Sequence, residues 1–120
     1  MLRTVVICDD AVFMRTMLSD ILTQAGFAVI GQAQTGEEAV KRYKELQPDL
    51  VTMDIVMPDM GDIEAVRRII AEYPDAKILM CSAMGQQSLV VEAIQAGARD
   101  FVVKPFQPSR VLEAVQRVLG

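Results

Sequence analysis

Short apolar runs alternate along this chain with longer segments in which apolar residues recur at helical spacing. The runs lie at residues 5–8, 28–30, 50–53, 78–81 and 101–103. The periodic segments follow each run, for example at Phe13, Met14, Met17, Leu18, Ile21 and Leu22. Gly or Pro punctuates the boundaries, as at Gly26 and Pro48. The pattern predicts five strands that alternate with five helices.

Strict alternation of strands and helices predicts a particular architecture. It implies right-handed crossovers and a parallel sheet that is covered by helices on both faces. The chain has 120 residues, of which 52% are apolar, enough to fill one core. A single α/β domain over residues 1–120 is therefore predicted. The five-stranded flavodoxin-like form suits this length better than the six-stranded dinucleotide-binding form.

Polar side chains follow the predicted strands at the points where those strands end. They are Asp9, Asp10, Asp54, Ser82 and Lys104. The carboxyl ends of parallel strands share one edge of a sheet, so these side chains are expected to meet in one pocket. Each also has a structural alternative: Asp9 or Asp10 as a helix N-cap, Asp54 in an Asx turn, Ser82 in a turn, Lys104 as a solvated surface charge. Their joint placement favours the pocket.

The expected pocket contains three carboxylates, a hydroxyl and an ammonium group. Crowded carboxylates repel one another unless a cation or a proton compensates them. The chain has no His, so a hard divalent cation such as Mg2+, which binds carboxylates together with phosphate oxygens, is the natural partner. Asp54 is then the candidate nucleophile for an aspartyl-phosphate, with Asp9 and Asp10 as metal anchors. Lys104 would neutralise the phosphoryl charge, and Ser82 would donate a hydrogen bond to it.

Composition removes several other classes of function. The net charge is −4 and the basic residues are scattered, which argues against nucleic-acid binding. No apolar segment approaches the length of a membrane span, and no signal sequence follows Met1, so a cytoplasmic protein that does not bind membranes is expected. Cys8 and Cys81 lie in apolar runs, which favours buried reduced thiols over a disulfide.

These residues carry a resemblance to a known family. Asp9-Asp10, Asp54 followed by Met57-Pro58, Ser82-Ala83 and Lys104-Pro105-Phe106 resemble the receiver domain of two-component response regulators. The resemblance covers essentially the whole chain. Residues 9–15, 81–87 and 103–110 are similar, more narrowly, to the CheY family of single-domain chemotaxis regulators, of the type found in Gram-positive bacteria and Thermotoga.

The resemblance implies a sheet order of 2-1-3-4-5 and phosphorylation of Asp54 by a CheA-like histidine kinase. It implies Mg2+ held by Asp10, Asp54 and the backbone carbonyl of Val56, with Asp9 acting through water. A cis Lys104–Pro105 bond is also implied. The implied output is altered binding of a partner, a FliM-like flagellar motor switch protein, by the fourth helix, fifth strand and fifth helix, and a phosphatase of the chemotaxis system would reverse the signal.

Two switch positions carry over from the family. Ser82 stands where the family has a Ser or Thr that moves toward the phosphoryl group, and Phe101 stands where it has a rotating aromatic residue, often Tyr. A Phe has no hydroxyl to mark its two positions, so a toggle at Phe101 must depend on burial alone. The alternative is that Phe101 is a fixed core aromatic.

One departure from the family lies after Asp54. The family usually has Asn or Asp followed by Gly, whereas this chain has Gly61-Asp62. We expect Gly61 to adopt the left-handed turn one residue early and Asp62 to become the N-cap of a helix that starts at Ile63. The shortened loop would then displace the Val56 carbonyl and weaken Mg2+ binding.

Other functions are compatible with parts of this pattern. A phosphorelay intermediate, or a receiver from a larger regulator, would have the same site. An aspartyl-phosphate-forming hydrolase or phosphotransferase usually needs a second acid beside the nucleophile, and Ile55-Val56 offers none. A self-phosphorylating and self-dephosphorylating switch, and not a turnover enzyme, is therefore the favoured interpretation.

Overall fold

The structure is a computed structural model that describes residues 2–55, 57 and 61–120. Its strands are β1 (Thr4–Cys8), β2 (Ala28–Ala33), β3 (Leu50–Asp54), β4 (Ile78–Ser82) and β5 (Asp100–Val103). Its helices are α1 (Val12–Gln24), α2 (Gly36–Leu46), α3 (Asp62–Glu72), α4 (Gln87–Ala96) and α5 (Pro108–Leu119). The predicted alternation of strands and helices is confirmed.

The strands form one parallel sheet in the order β2-β1-β3-β4-β5. This is the order that the family resemblance implies, and β3, which carries Asp54, lies at its centre. The residues of β3 and β4 are all buried. A strand buried on both faces needs a continuous apolar run, which explains why these segments lack the alternation of a half-exposed strand.

The core consists of one apolar cluster on each face of the sheet. One cluster joins β1, β3 and β4 to α2, α3 and α4, and the other joins the sheet to α1 and α5. Successive residues of a strand enter opposite clusters, so Val5 and Ile7 face α1 and α5 whereas Val6 and Cys8 face α2 to α4. Cys8 and Cys81 are buried free thiols in opposite clusters, as the sequence predicted.

Helix α1 is rotated relative to the predicted apolar stripe. Its buried positions are Arg15, Leu18 and Leu22, whereas Phe13 is 69% exposed. Gly26 ends the helix with a φ of 95°, which is the left-handed cap that its position predicted. The helix face against the sheet thus contains a charged residue in place of Phe13.

The start of α3 corrects the prediction for Gly61 and Asp62. Gly61 has φ −59° and ψ 145°, so it makes no left-handed turn, and it is itself the N-cap of a helix that begins at Asp62. Glycine is an acceptable N-cap, and Asp62 at the first helical position adopts a φ that any residue tolerates. The inverted pair therefore needs no early turn, and the weaker Mg2+ binding predicted from that turn loses its basis.

None of the helices in the described part of the chain is long and apolar enough to span a membrane.

Candidate functional site

The carboxyl edge of the sheet brings together the polar residues predicted for it. Asp54 and Ser82 are the last residues of the adjacent strands β3 and β4, and Asp9 and Lys104 directly follow β1 and β5. Asp9, Asp54 and Ser82 are all buried, whereas Asp10 is exposed. The pocket expected from the strand ends is present.

Asp9 is held by hydrogen bonds at each of its backbone and side-chain polar groups. Its N–H donates to the carbonyl of Ala33 at the end of β2 (2.9 Å), and its own carbonyl accepts from Nη1 of Arg15 (2.6 Å). Its Oδ1 accepts from the N–H of Ala11 (2.9 Å), and its Oδ2 accepts from Nζ of Lys104 (2.9 Å). Asp9 thus makes an Asx-type turn to Ala11, and the N-cap of α1 is Ala11, not Asp9 or Asp10.

Lys104 links two of the carboxylates across the pocket. Its Nζ lies 2.9 Å from Oδ2 of Asp9 and 3.1 Å from Oδ1 of Asp54. Its N–H donates to the carbonyl of Ser82 (2.7 Å), which fixes the β4–β5 end beside Asp54. With a side chain only 16% exposed, Lys104 is not the solvated surface charge of the alternative interpretation. The predicted cis bond to Pro105 is present.

Three carboxylates converge closely enough to share one cation. Asp9, Asp10 and Asp54 each offer an oxygen, and these oxygens lie within 4.8 Å of one another. Carboxylate oxygens are the donors that Mg2+ prefers, and they form an acidic cluster that can bind a metal ion. Val56, whose carbonyl was expected to be a further ligand, lies outside the described residues.

The pKa values of Asp54 and Lys104 are both raised in the pocket, for different reasons. Burial and then the charge of Asp9 raise the pKa of Asp54, against the lowering effect of its hydrogen bond with Lys104. Burial alone would lower the pKa of Lys104, but its hydrogen bonds with Asp9 and Asp54 and their charges outweigh that effect and raise it. Asp54 therefore holds its proton more tightly chiefly because it is buried, and Lys104 because two carboxylates surround its ammonium group.

Comparison with known proteins identifies this arrangement. The response regulator receiver domain family matches residues 5–116. The chain belongs to the response regulator receiver family. A chemotaxis protein CheY of Thermotoga maritima is 61% identical over 97% of this chain and 97% of its own length. CheY of Bacillus subtilis is 56% identical over the whole of both chains.

A solved structure agrees with these relatives. The CheX-CheY-BeF3-Mg2+ complex from Borrelia burgdorferi contains a chain that is 39% identical to this receiver, with a TM-score of 0.93 over 98% of this chain and 90% of the other. The receiver is thus a chemotaxis response regulator of a two-component system. The resemblance to the Thermotoga and Gram-positive type is confirmed.

The two predicted switch residues of the receiver differ in their surroundings. Ser82 is 2% exposed at the end of β4, in register with Val103. Phe101 on β5 is 41% exposed and lines a surface cavity together with Met84 and Val103. Phe101 is therefore not a core residue, whereas its role as a switch stays a prediction.

The burial of two charged residues near the pocket of the receiver was not predicted. Arg15 is 7% exposed and bonds the carbonyl of Asp9, and Asp62 is 8% exposed at the start of α3. Arg15 could have been found, because it continues the spacing of Leu18 and Leu22 on the apolar face of α1. Asp62 gave no such signal, since an acidic residue is common in a first helical turn.

Proposed function

We propose that this receiver accepts a phosphoryl group on Asp54 from a CheA-like histidine kinase in a Mg2+-dependent reaction in the cytoplasm. Phosphorylation then changes the affinity of the α4–β5–α5 face for a FliM-like flagellar motor switch protein, and a phosphatase of the chemotaxis system ends the signal. The protein acts as a switch that is modified and restored, not as a turnover enzyme. The observation that carries the proposal is the bond between Lys104 and Asp54 beside two further carboxylates.

Asp54 is the group best placed to act as nucleophile. It lies at the end of the central strand, and Lys104 engages its Oδ1, so Oδ2 is the oxygen that we expect to attack phosphorus. A P–O bond to Asp54 then forms as the P–N bond to the kinase imidazole breaks, and the electron pair of that bond stays on nitrogen. Catalysis of phosphoryl transfer consists mainly of positioning and charge neutralisation, which this pocket can supply.

The acidic cluster fits a Mg2+ ion with distinct roles for its three carboxylates. Both oxygens of Asp9 already accept hydrogen bonds, from Ala11 and Lys104, which supports a role for Asp9 through water. Asp10 is exposed and Asp54 belongs to the same cluster of carboxylate oxygens, so these two are the candidate direct ligands. When bound, Mg2+ would neutralise charge on the phosphoryl oxygens. Val56 remains a proposed backbone ligand.

Lys104 and Ser82 are the candidate partners of the phosphoryl oxygens. The ammonium group of Lys104 is within 3.1 Å of Asp54, so a phosphoryl group on that carboxylate would lie within its reach. Ser82 ends the strand next to β3, and its hydroxyl can donate one hydrogen bond. Its carbonyl accepts a hydrogen bond from the N–H of Lys104, so a movement of one residue would displace the other.

The output face is the surface of α4, β5 and α5. Phe101 and Val103 on β5 and Met84 before α4 are exposed around a cavity of about 460 Å3. Val91 on α4 is also exposed, at 54%. Exposed apolar residues of this kind mark surfaces for protein partners. Because β5 leads directly into Lys104, a change at the phosphorylation site can reach Phe101 through a single strand.

Labelling with a small phosphodonor tests the assignment of Asp54. Incubated with acetyl phosphate and Mg2+, the wild type should gain one acid-labile phosphoryl group, and Asp54→Asn should gain none. Asp75→Asn is the matched control, since Asp75 is an exposed carboxylate in a turn. Intact-mass spectrometry reads the result, and equal labelling of Asp54→Asn would falsify the assignment.

A further inference from the structure

Arg15 is a cation at a position of α1 that otherwise faces the apolar core. It is 7% exposed and shares its helix face with Leu18 and Leu22. Burial of a guanidinium group is costly unless its N–H groups are hydrogen-bonded. Its hydrogen-bond partners therefore show what the residue does.

The partners of Arg15 among the described residues are two neutral oxygens, one of them in the β1–α1 loop that carries Asp9 and Asp10. Nη1 donates to the backbone carbonyl of Asp9 (2.6 Å), and Nε donates to Oε1 of Gln32 near the end of β2 (2.9 Å). Charge-assisted hydrogen bonds of this kind are short and strong. Arg15 thus joins α1, the β1–α1 loop and β2 at one point, and it does so without occupying a carboxylate oxygen.

The carbonyl that Arg15 holds belongs to the peptide unit between Asp9 and Asp10. That unit is planar, so a bond to its oxygen fixes the direction in which the chain enters Asp10. The N–H of Asp9 is held by Ala33 on the other side. We propose that Arg15 is a positioning residue that fixes the Asp9–Asp10 peptide and thereby places the Asp10 carboxylate for Mg2+. This inference rests on the proposed function of the acidic cluster.

The charge of Arg15 and its position act on a bound cation in opposite directions. Arginine keeps its charge at any physiological pH, and a nearby positive charge by itself weakens a cation site. Removal of a mere charge would therefore tighten Mg2+ binding. Removal of a positioning contact would weaken it, because Asp10 would sample orientations that do not bind. The sign of the change distinguishes the two roles.

The test compares two substitutions by calorimetric Mg2+ titration of the intact chain. Arg15→Gln removes both the positive charge and the planar guanidinium donors. Arg15→Lys keeps the charge but loses the planar pair of N–H donors. Both should weaken Mg2+ binding on the order of tenfold, as is usual for groups that orient metal ligands. Arg42→Gln is the matched control, since Arg42 also donates to Gln32, at its carbonyl (3.3 Å), and should bind Mg2+ as the wild type does.

A second readout needs no metal. The N–H of Ala11 donates to Asp9 Oδ1, so its amide hydrogen exchange reports the order of the acidic loop. Exchange should be faster in Arg15→Lys and unchanged in Arg42→Gln. Gln32→Met, at an exposed position, removes only the oxygen that accepts the hydrogen bond from Nε of Arg15. This variant tests the proposal even if the Arg15 variants do not fold. It should speed exchange at Ala11 and weaken Mg2+ binding, to a smaller degree.

The outcomes separate this inference from the proposed function. If the wild type binds Mg2+ and both Arg15 variants bind it as tightly or more tightly, the positioning role is overturned and the proposed metal site is not. A lower melting temperature with unchanged Mg2+ affinity and unchanged Ala11 exchange also overturns it, since Arg15 would then serve only stability. If the Arg15 variants do not fold, wild-type values of both readouts in Gln32→Met overturn it. A wild type that binds no Mg2+ overturns the proposed metal site and this inference with it.

Discussion

Asp9 and Asp62 are both buried aspartates that interact electrostatically with Asp54, yet their surroundings differ. On the β1 side, Asp9 has a hydrogen-bond partner for each carboxylate oxygen, one of them the ammonium group of Lys104. On the α3 side, Asp62 is 8% exposed, and its Oδ2 has no hydrogen-bond partner among the described residues. In the first region Lys104 pairs with two carboxylates, whereas in the second no cation among the described residues contacts Asp62.

The difference is visible in the proton affinity of Asp62. Burial, followed by the charges of Asp54 and Glu92, raises the pKa of Asp62 to about 6, although its neighbouring helix amides lower it. A carboxylate with this pKa opposes folding when it is charged. Asp62 is thus an acid whose burial opposes folding, whereas Asp9 is paired with Lys104. Three substitutions test this contrast, in order of expected effect.

The largest effect is expected from Lys104→Met, which would make the Asp9 side resemble the Asp62 side. It leaves Asp9 and Asp54 buried without their shared cation, and such a loss costs about 3 kcal/mol of unfolding free energy at pH 7. Urea unfolding measures this cost. Mg2+ should restore part of the lost stability and should bind at least as tightly as in the wild type, because a repelling charge has gone.

Lys44→Met is the control for Lys104. Lys44 pairs with Glu72 at 3.3 Å, but both side chains are more than half exposed, so its loss should cost less than about 1 kcal/mol. Equal losses from the two lysine variants would show that the Asp9 cluster gains nothing from Lys104. A normal phosphorylation response in Lys104→Met would show that Lys104 has no role in phosphoryl transfer.

Asp62→Asn should stabilise the receiver, by about 2 kcal/mol at pH 8. The pKa of Asp62 in the folded protein, about 6, lies above the ordinary value of 3.8, so the native state binds a proton more tightly than the unfolded state. The penalty of Asp62 is therefore complete above pH 6 and disappears as pH falls toward 4. Urea unfolding of the variant and the wild type at pH 8, 6 and 4.5 measures the free energy of unfolding of each. The contributions of the other carboxylates cancel in the difference between the two proteins.

Glu64→Gln is the control for Asp62. Glu64 lies in the same first turn of α3, but its side chain is 49% exposed and pairs with Arg68 at 3.5 Å. Its substitution should change stability by less than about 0.5 kcal/mol at each pH. A gain for Asp62→Asn that does not depend on pH would contradict the account of Asp62 as a buried charge.

The smallest effect is expected from Thr52→Val, which removes an unpaired neutral group. Thr52 in β3 is fully buried, and its Oγ1 has no hydrogen-bond partner among the described residues. Valine has the same shape, so the variant should be more stable by about 1 kcal/mol at every pH. Thr4→Val is the contrasting control, because the hydroxyl of Thr4 bonds Asp49, and it should lower stability. Destabilisation by Thr52→Val would mean that Oγ1 has a partner.

The amino-acid sequence by itself determined the succession of strands and helices along the chain, the parallel sheet and the edge of the sheet at which the polar site lies. These follow from hydrophobic periodicity and from the rule that parallel strands end together, and both are readable without knowledge of contacts. The exchange of Gly61 and Asp62 was visible too, but its consequence was predicted wrongly. A glycine after a loop can adopt either sign of φ, and only the folded chain selects one.

Only the tertiary structure decided which partner each buried charge finds. Lys104 and Asp9 are 95 positions apart in the chain, and Arg15 and Gln32 are 17 apart. No local pattern encodes such pairs, because they depend on how α1 is rotated against the sheet and on where β5 ends relative to β1. The rotation that exposes Phe13 and buries Arg15 allows the guanidinium group to donate hydrogen bonds to two oxygens. Hydrophobic periodicity along a helix cannot predict these hydrogen bonds.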